Sequence, residues 1–181
     1  MEEKSRFYFR LKTECTVELP SGALAKKKIE ELVLATSYTE AEILVHEIIA
    51  SLNRTKFGSV SYEIIKTKIN DVRYNDVLSQ DEVIKDFVCS CFEEDESTGV
   101  GLYNVKVDFF IIDEKSGKEK KISENYYVPA LSNADATDRV ARFLKSDMSD
   151  FVIRDAKFDK AEAIYWPLDV HKQKVEAFKL T

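Results

Sequence analysis

The sequence predicts an α+β fold: internally duplicated ββαβ units with antiparallel sheets, one helix packed per unit, and a linker helix between the copies. Three observations carry this. First, residues 8–41 and 103–136 share a skeleton at one constant offset of 95 residues. Tyr8 matches Tyr103, Ser21-Gly22 matches Ser116-Gly117, and Val33-x-Ala35-x-Ser37-x-x-Glu40-Ala41 matches Val128-x-Ala130-x-Ser132-x-x-Asp135-Ala136. A fixed offset over that span is the mark of an internal repeat. Second, apolar periodicity changes from two to three-and-four at the same point in each copy. Third, eleven Phe and eight Tyr favour strands, while five Gly and three Pro leave little material for long loops.

In the first copy Phe7, Phe9, Leu11, Cys15 and Val17 alternate, as in a strand with one buried face. Pro20-Ser21-Gly22 turns the chain, which returns through Ile29, Glu31 and Val33 to complete a hairpin. Ser37-Tyr38-Thr39-Glu40 has the form of a capping box, in which Glu40 reaches back to the cap amide. Ala41, Leu44, Val45, Ile48, Ile49 and Leu52 then make the stripe of an amphipathic helix. Tyr62 to Ile69 is the third strand, with the adjacent Ile64-Ile65 marking a bulge. The second copy repeats the order: Tyr103, Val105, Val107, Phe109 and Ile111 alternate, Asp113 to Gly117 turns, and Lys121 to Val128 returns. Pro129 marks an edge or a strand end. Ser132 caps a helix bearing Ala136, Val140, Phe143 and Leu144, and Phe151 to Phe158 closes the unit.

The expected organisation is a first repeat over 1–75, a linker over 76–101, a second repeat over 102–166 and a tail over 167–181. The repeats are expected to pack as one compact body, since each sheet alone has weak edges. In the linker, Ser79-Gln80-Asp81-Glu82 resembles another cap, and Val83, Ile84, Phe87, Val88, Cys91 and Phe92 fall at helical spacing, so a helix is expected over 80–92. Glu93 to Gly99 reads as an acidic loop, and the tail, with Val175 and Phe178, as a short helix.

No apolar run approaches the ~18 residues of a membrane span. Met1-Glu2-Glu3-Lys4 lacks a signal-peptide core, so a cytoplasmic location and no membrane partner are expected. Three cysteines cannot all pair within the chain, which fits a reducing compartment. The net charge of −6 is uneven: residues 1–75 carry 12 Lys/Arg and 11 Asp/Glu, the remainder 15 and 22. An acidic balance counts against duplex nucleic acid as a partner.

Candidate chemistry competes with plainer readings. Cys89-Ser90-Cys91 could join His46 or His171 at a zinc, but zinc sites prefer two to four residues between Cys ligands, and buried structural thiols are the better reading. His46 has no marked nucleophile or orienting acid nearby. Lys26, Lys27 and Lys28, with Lys118, Lys120 and Lys121, put a basic cluster on the returning arm of both hairpins. With Tyr126 beside them they form a candidate single-stranded nucleic-acid surface, against the plainer reading of a solvated strand edge. Tyr165 and Trp166 are either a partner anchor or a core seal. Glu93 to Glu96 lacks the ligand spacing of a calcium loop. Phosphate-binding, nucleophile-elbow and metalloprotease motifs are absent from the sequence. No catalytic, cofactor or metal residues are assigned.

The hairpin turning at Ser-Gly, the strand ending Val-x-Ala-x-Ser and the helix opening Glu/Asp-Ala resemble a domain-of-unknown-function family from gut anaerobes of the Bacteroides group and their phages. The likeness is clearest over 102–166, around Asp113-Glu114-Lys115-Ser116-Gly117-Lys118-Glu119-Lys120-Lys121, and looser over 6–74. The linker and the long tail depart from it. The resemblance implies a bacterial or phage setting and an accessory role, and transfers no catalytic residue. A non-enzymatic protein-interaction module, binding a protein partner or its own copy, is the expected function. A single-stranded nucleic-acid binder is the alternative.

Overall fold

The computed structural model describes residues 4–51, 58–69, 71–72 (backbone only), 81–92, 99–145 and 149–180. The expected Leu52 of the first helix stripe, residues 79–80 of the linker and the acidic run Glu93 to Glu96 lie outside them. The chain divides into two units, each discontinuous in sequence: Met1–Thr67 with Gln80–Cys91 and Ala161–Thr181, and Lys68–Ser79 with Phe92–Lys160.

In the first unit β1 (Phe7–Glu18) and β2 (Leu24–Ala35) form an antiparallel hairpin, α1 (Tyr38–Ser51) follows, and β3 (Val60–Lys66) returns to pair antiparallel with β1. In the second, β7 (Gly101–Ile112), β8 (Glu119–Ala130), α2 (Asn133–Leu144) and β9 (Asp150–Asp159) repeat that connectivity, β9 pairing antiparallel with β7. The expected α+β class with two ββαβ units is what is found. Each sheet also gains a parallel strand beside the second hairpin arm: β10 (Ala161–Pro167) on β2, and the short β4 (Asp71–Val72) on β8. Each of these follows directly on the third strand of the other unit, so the duplication extends to a reciprocal exchange of strands.

The two copies differ by one residue at the turn. Phe9 pairs with Val33 and Tyr103 with Val128. Tyr103 is therefore the counterpart of Phe9, one residue from the sequence match with Tyr8. The second turn, Asp113 to Lys118, is one residue longer than the first, Leu19 to Ala23. The Asp113 carboxylate accepts from the Lys115 and Ser116 amides and holds the longer loop. Gly22 and Gly117 both take positive φ, +81° and +64°, which a glycine adopts without the Cβ clash.

Helix and sheet meet through a seam of small and branched side chains. Ala41, Val45 and Ile49 on α1 and Ala136, Val140 and Leu144 on α2 occupy the same three buried positions. Both helices are capped as expected, with Ser37 Oγ accepting from the Glu40 amide and Ser132 Oγ from the Asp135 amide, each at 3.1 Å. The reciprocal arm lands one residue earlier than a standard capping box: Glu40 accepts from the Thr36 amide and Asp135 from the Leu131 amide.

Three expectations need correction. The linker helix over 80–92 is not formed; residues 81–91 are a hairpin, β5 (Asp81–Ile84) and β6 (Phe87–Cys91), turning at Lys85-Asp86 with Lys85 at φ +54°. β6 pairs antiparallel with β10, and the six-stranded sheet β3-β1-β2-β10-β6-β5 of the first unit results. β6 is covered on both faces, so its apolar residues do not alternate, and the run mimics helical spacing. Ile64-Ile65 is not a bulge: β3 keeps an unbroken register with β1, whereas the irregularity lies in β9, where Lys106 faces Asp155 and Val107 faces Ile153. The last segment assigned to the second repeat, residues 161–166, is β10 of the first unit's sheet. The expected tail helix is present as α3 (Leu168–Lys179).

Because the Ser132 hydroxyl satisfies an otherwise orphaned helix amide, Ser132→Ala should lower unfolding stability by about 1 kcal/mol, and Ser132→Gly by only a few tenths. Urea denaturation followed by circular dichroism reads the difference; equal midpoints for wild type and Ser132→Ala would exclude a stabilising cap.

Candidate interaction surface and a buried polar cluster

The hairpins are longer than the helices that cover them. A 12-residue strand spans about 40 Å, whereas the 14 residues of α1 span about 21 Å. The turn ends of both hairpins therefore carry side chains that no helix among the described residues reaches. At the last rung of each, a Glu faces a large aliphatic residue: Glu18 opposite Leu24 in the first unit, Ile112 opposite Glu119 in the second. The arms are exchanged but the chemistry is kept. Leu24 is 75% and Ile112 70% exposed, with Leu19, Ile111 and Ile122 also exposed nearby.

The lysines lie on the same projecting arms, and several are engaged across the strands. Glu14 takes Lys26 at 3.0 Å and Lys28 at 3.8 Å. Asp108, its counterpart in the second hairpin, takes Lys121, the counterpart of Lys26, at 3.8 Å. Asp108 also accepts from Ser123 Oγ at 2.5 Å and from Arg154 Nε at 2.6 Å. These bonds to Ser123 and Arg154 hold the Asp108 carboxyl below its ordinary range, with Lys121 adding to them; the Lys26 bond does the same for Glu14. A diagonal acid–lysine contact is thus repeated in both copies. It answers much of the positive charge that the nucleic-acid reading needs from Lys26, Lys28 and Lys121. Lys27 lies on the α1 side of β2, where its carbonyl receives the Cys15 thiol at 3.7 Å. Lys118 closes the second turn, its carbonyl accepting from the Asp113 amide, and Lys120 faces Ile111.

The aromatic candidates lie inside. Tyr126 is buried in the core of the second unit beneath α2, its hydroxyl donating to Glu124 at 2.7 Å, so its face cannot stack on a base. Tyr165 and Trp166 are buried on opposite faces of β10. Tyr165 packs with Phe9, Val33 and Leu44; Trp166 donates from Nε1 to the Tyr8 hydroxyl at 3.4 Å. They seal the first unit's core and are not an exposed anchor. His46 sits on α1 with Nε2 3.1 Å from the Tyr62 hydroxyl, rings edge-on.

Two polar groupings flank β6. On its α3 side Ser90 Oγ donates to Asp81 at 3.0 Å, and Asp81 lies 3.5 Å from His171 Nε2. These are the residue types of a hydrolytic triad in the wrong order, because the serine proton points at the carboxylate and the imidazole never reaches the hydroxyl. On the α1 side lie Cys89, Cys91, Tyr165 and the fully buried Glu31. Ser90 separates the two faces, so His171 and the cysteines are on opposite sides of the strand. Among the described residues no group of three or more His, Cys, Asp or Glu is arranged to hold a metal. The sequence did carry a signal for Glu31, which occupies the buried register between Ile29 and Val33.

Asp108 supplies a test of the acid–lysine ladder. Its folded-state pKa is depressed, so its contribution is complete above the ordinary Asp value of about 3.9 and disappears as pH falls through the lower folded value. Asp108→Asn should therefore lower the urea midpoint at pH 7, and the gap to wild type should narrow below about pH 4. A gap that stays constant down to pH 2.5 would rule out the charge as its source.

No helix among the described residues is long and apolar enough to cross a membrane. No curated protein and no solved structure matches the chain. The sequence model of one family does, over residues 7–168, a span that takes in both ββαβ units, the β5–β6 hairpin and β10. The chain belongs to the domain-of-unknown-function family DUF4494.

Proposed function

We propose that this chain is a non-enzymatic protein-interaction module whose contact surfaces are the projecting ends of its two hairpins, and that it binds a protein partner or a second copy of itself. The observation that carries this reading is the retention, in both copies, of an exposed large aliphatic side chain opposite a Glu on the last rung. Neither Leu24 nor Ile112 serves a core, and an exposed branched side chain rimmed by charge is the composition of a contact patch. The open depressions of the two units support the same reading. That of the first, about 560 Å³, is lined by Arg6, Glu40, Phe87, Leu168 and Lys172; that of the second, about 400 Å³, by Asn133, Thr137, Arg154 and Asp155. Neither brings together a nucleophile, a base and an orienting acid. An accessory role in a bacterial or phage setting, as the family resemblance implies, suits such a module. The nucleic-acid alternative is weakened by the acid partners of Lys26, Lys28 and Lys121 and by the burial of Tyr126.

Light scattering on the purified chain, with affinity capture from a bacterial lysate, tests the proposal. Wild type should either self-associate or retain a discrete protein. Leu24→Glu with Ile112→Glu should weaken that association at least about thirty-fold, the loss that accompanies ~2 kcal/mol at a contact hot spot. A monomer that captures nothing overturns the reading, as does capture unaffected by the double substitution. A labelled oligonucleotide bound at low salt and released by Lys26→Ala with Lys121→Ala would move the reading to nucleic acid.

A further inference from the structure

The Cys89–Cys91 pair has a setting that core packing does not require. Alternate residues of a strand project to one face. The two Sγ atoms lie 3.5 Å apart on the α1 side of β6. Cys89 is buried and Cys91 half-buried, so one thiol is shielded and the other is within reach of solvent. Across the sheet, Cys89 faces Tyr165 and Cys91 faces Ala163, which in turn faces Glu31. Tyr165 projects from β10 to the same face of the sheet as Cys89 and Glu31. An ionisable carboxylate is costly to bury, so its place on the same sheet face as a phenol and two thiols calls for a role.

We propose that Cys89 and Cys91 form a peroxide-oxidisable dithiol, with Tyr165 and Glu31 as the route that takes up the Cys89 proton. The Cys91 thiolate attacks one oxygen of a hydroperoxide; the O–O bond breaks, Cys91 becomes a sulfenic acid, and the leaving oxygen departs as hydroxide or alkoxide and takes the proton that Cys91 released. Cys89 then passes its proton through Tyr165 to Glu31 and attacks the Cys91 sulfur. The S–O bond breaks, hydroxide leaves, and Glu31 returns the proton to it as water. Two thiols lose two electrons and two protons, and the peroxide is reduced to water, or to water and an alcohol. The contact with the Cys89 thiol lowers the Cys91 thiol from its ordinary value, which is consistent with Cys91 as the attacking sulfur. Alternate residues of an extended strand stand near the upper limit of Cα separation for a disulfide, so closure must bend β6 at Ser90, beside its pairing with β10.

Treating the full-length protein with a few equivalents of hydrogen peroxide, alkylating residual thiols and mapping peptides by mass spectrometry tests this. The expected product is a Cys89–Cys91 peptide lacking two hydrogens and recovered by dithiothreitol, with Cys15 still alkylated. Cys89→Ser should stop at a Cys91 sulfenic acid that dimedone traps. Tyr165→Phe and Glu31→Gln should retain the first step and close the disulfide about a hundredfold more slowly, the usual weight of a positioned proton acceptor. The wild-type measurement stands even where a core variant does not fold. Three thiols that alkylate alike after peroxide, or oxidation that stops at Cys91 in wild type, overturn the proposal; so does disulfide closure at an unchanged rate in folded Glu31→Gln and Tyr165→Phe.

Discussion

The close approach of one helix to one hairpin, made twice, is the constraint on which the rest of this structure depends. Ala35 and Ala41, and their counterparts Ala130 and Ala136, are fully buried where strand two hands over to the helix. A small side chain on both the strand and the helix allows the two backbones to come together directly after a tight connection. The Ser cap then fixes the first helical turn, and Val45 with Ile49, or Val140 with Leu144, continues the contact down the sheet. A larger residue at any of the four alanines would overpack the junction. The conserved letters of the repeat, Val-x-Ala-x-Ser-x-x-acid-Ala, are the letters of this junction, which explains why they persist while the rest of the two copies diverges.

Once the helix is seated, the length of the hairpin decides what remains exposed. The arms overrun the helix, so their outer halves lose the core as a source of cohesion and rely on cross-strand pairs instead. Glu14 with Lys26 and Asp108 with Lys121 fill that role at equivalent places. The Glu14–Lys26 pair, largely exposed, contributes little by itself, whereas Asp108 is buried and is bonded to Ser123 and Arg154 as well; both hold the arm against the alternatives open to a charged edge. The exposed aliphatic side chains beyond them are not accounted for by this logic, and for that reason they carry the functional reading.

Much of the architecture was legible because the elements with one buried face alternate visibly. Phe9, Leu11 and Cys15 in β1 and Tyr103, Val105 and Val107 in β7 could be placed from the sequence alone. β6 and β10 could not, because both are covered on two faces. Phe87-Val88-Cys89 and Ile164-Tyr165-Trp166 are consecutive runs without a period, and the first of these imitates a helix once Ile84 and Cys91 are added. The sequence match of Tyr8 with Tyr103 was off by one for another reason: the extra turn residue around Asp113 shifts the strands before the turn but not the strands after it. The acid partners of the lysines were hidden because diagonal contacts depend on register, which a linear pattern does not reveal.

The buried polar groups are where a purely structural account is weakest. A sheet face packed by Phe9, Val33, Leu44 and Ile48 has no need of a carboxylate, a phenol and two thiols in the same patch. Burial is the first cause that pushes the Tyr165 phenol upward, with the Glu31 carboxylate next. The equivalent position to Glu31 in the second unit is Tyr126, which keeps its ring in the core and sends its hydroxyl to Glu124. One copy of the repeat therefore turns the polar end of this register position back towards its own strand, while the other places a carboxylate in the core beside β10 and, one strand further, β6, which has no counterpart in the described sheet of the second unit. Divergence at a position otherwise governed by burial coincides with the presence of β6, the strand that brings Cys89 and Cys91.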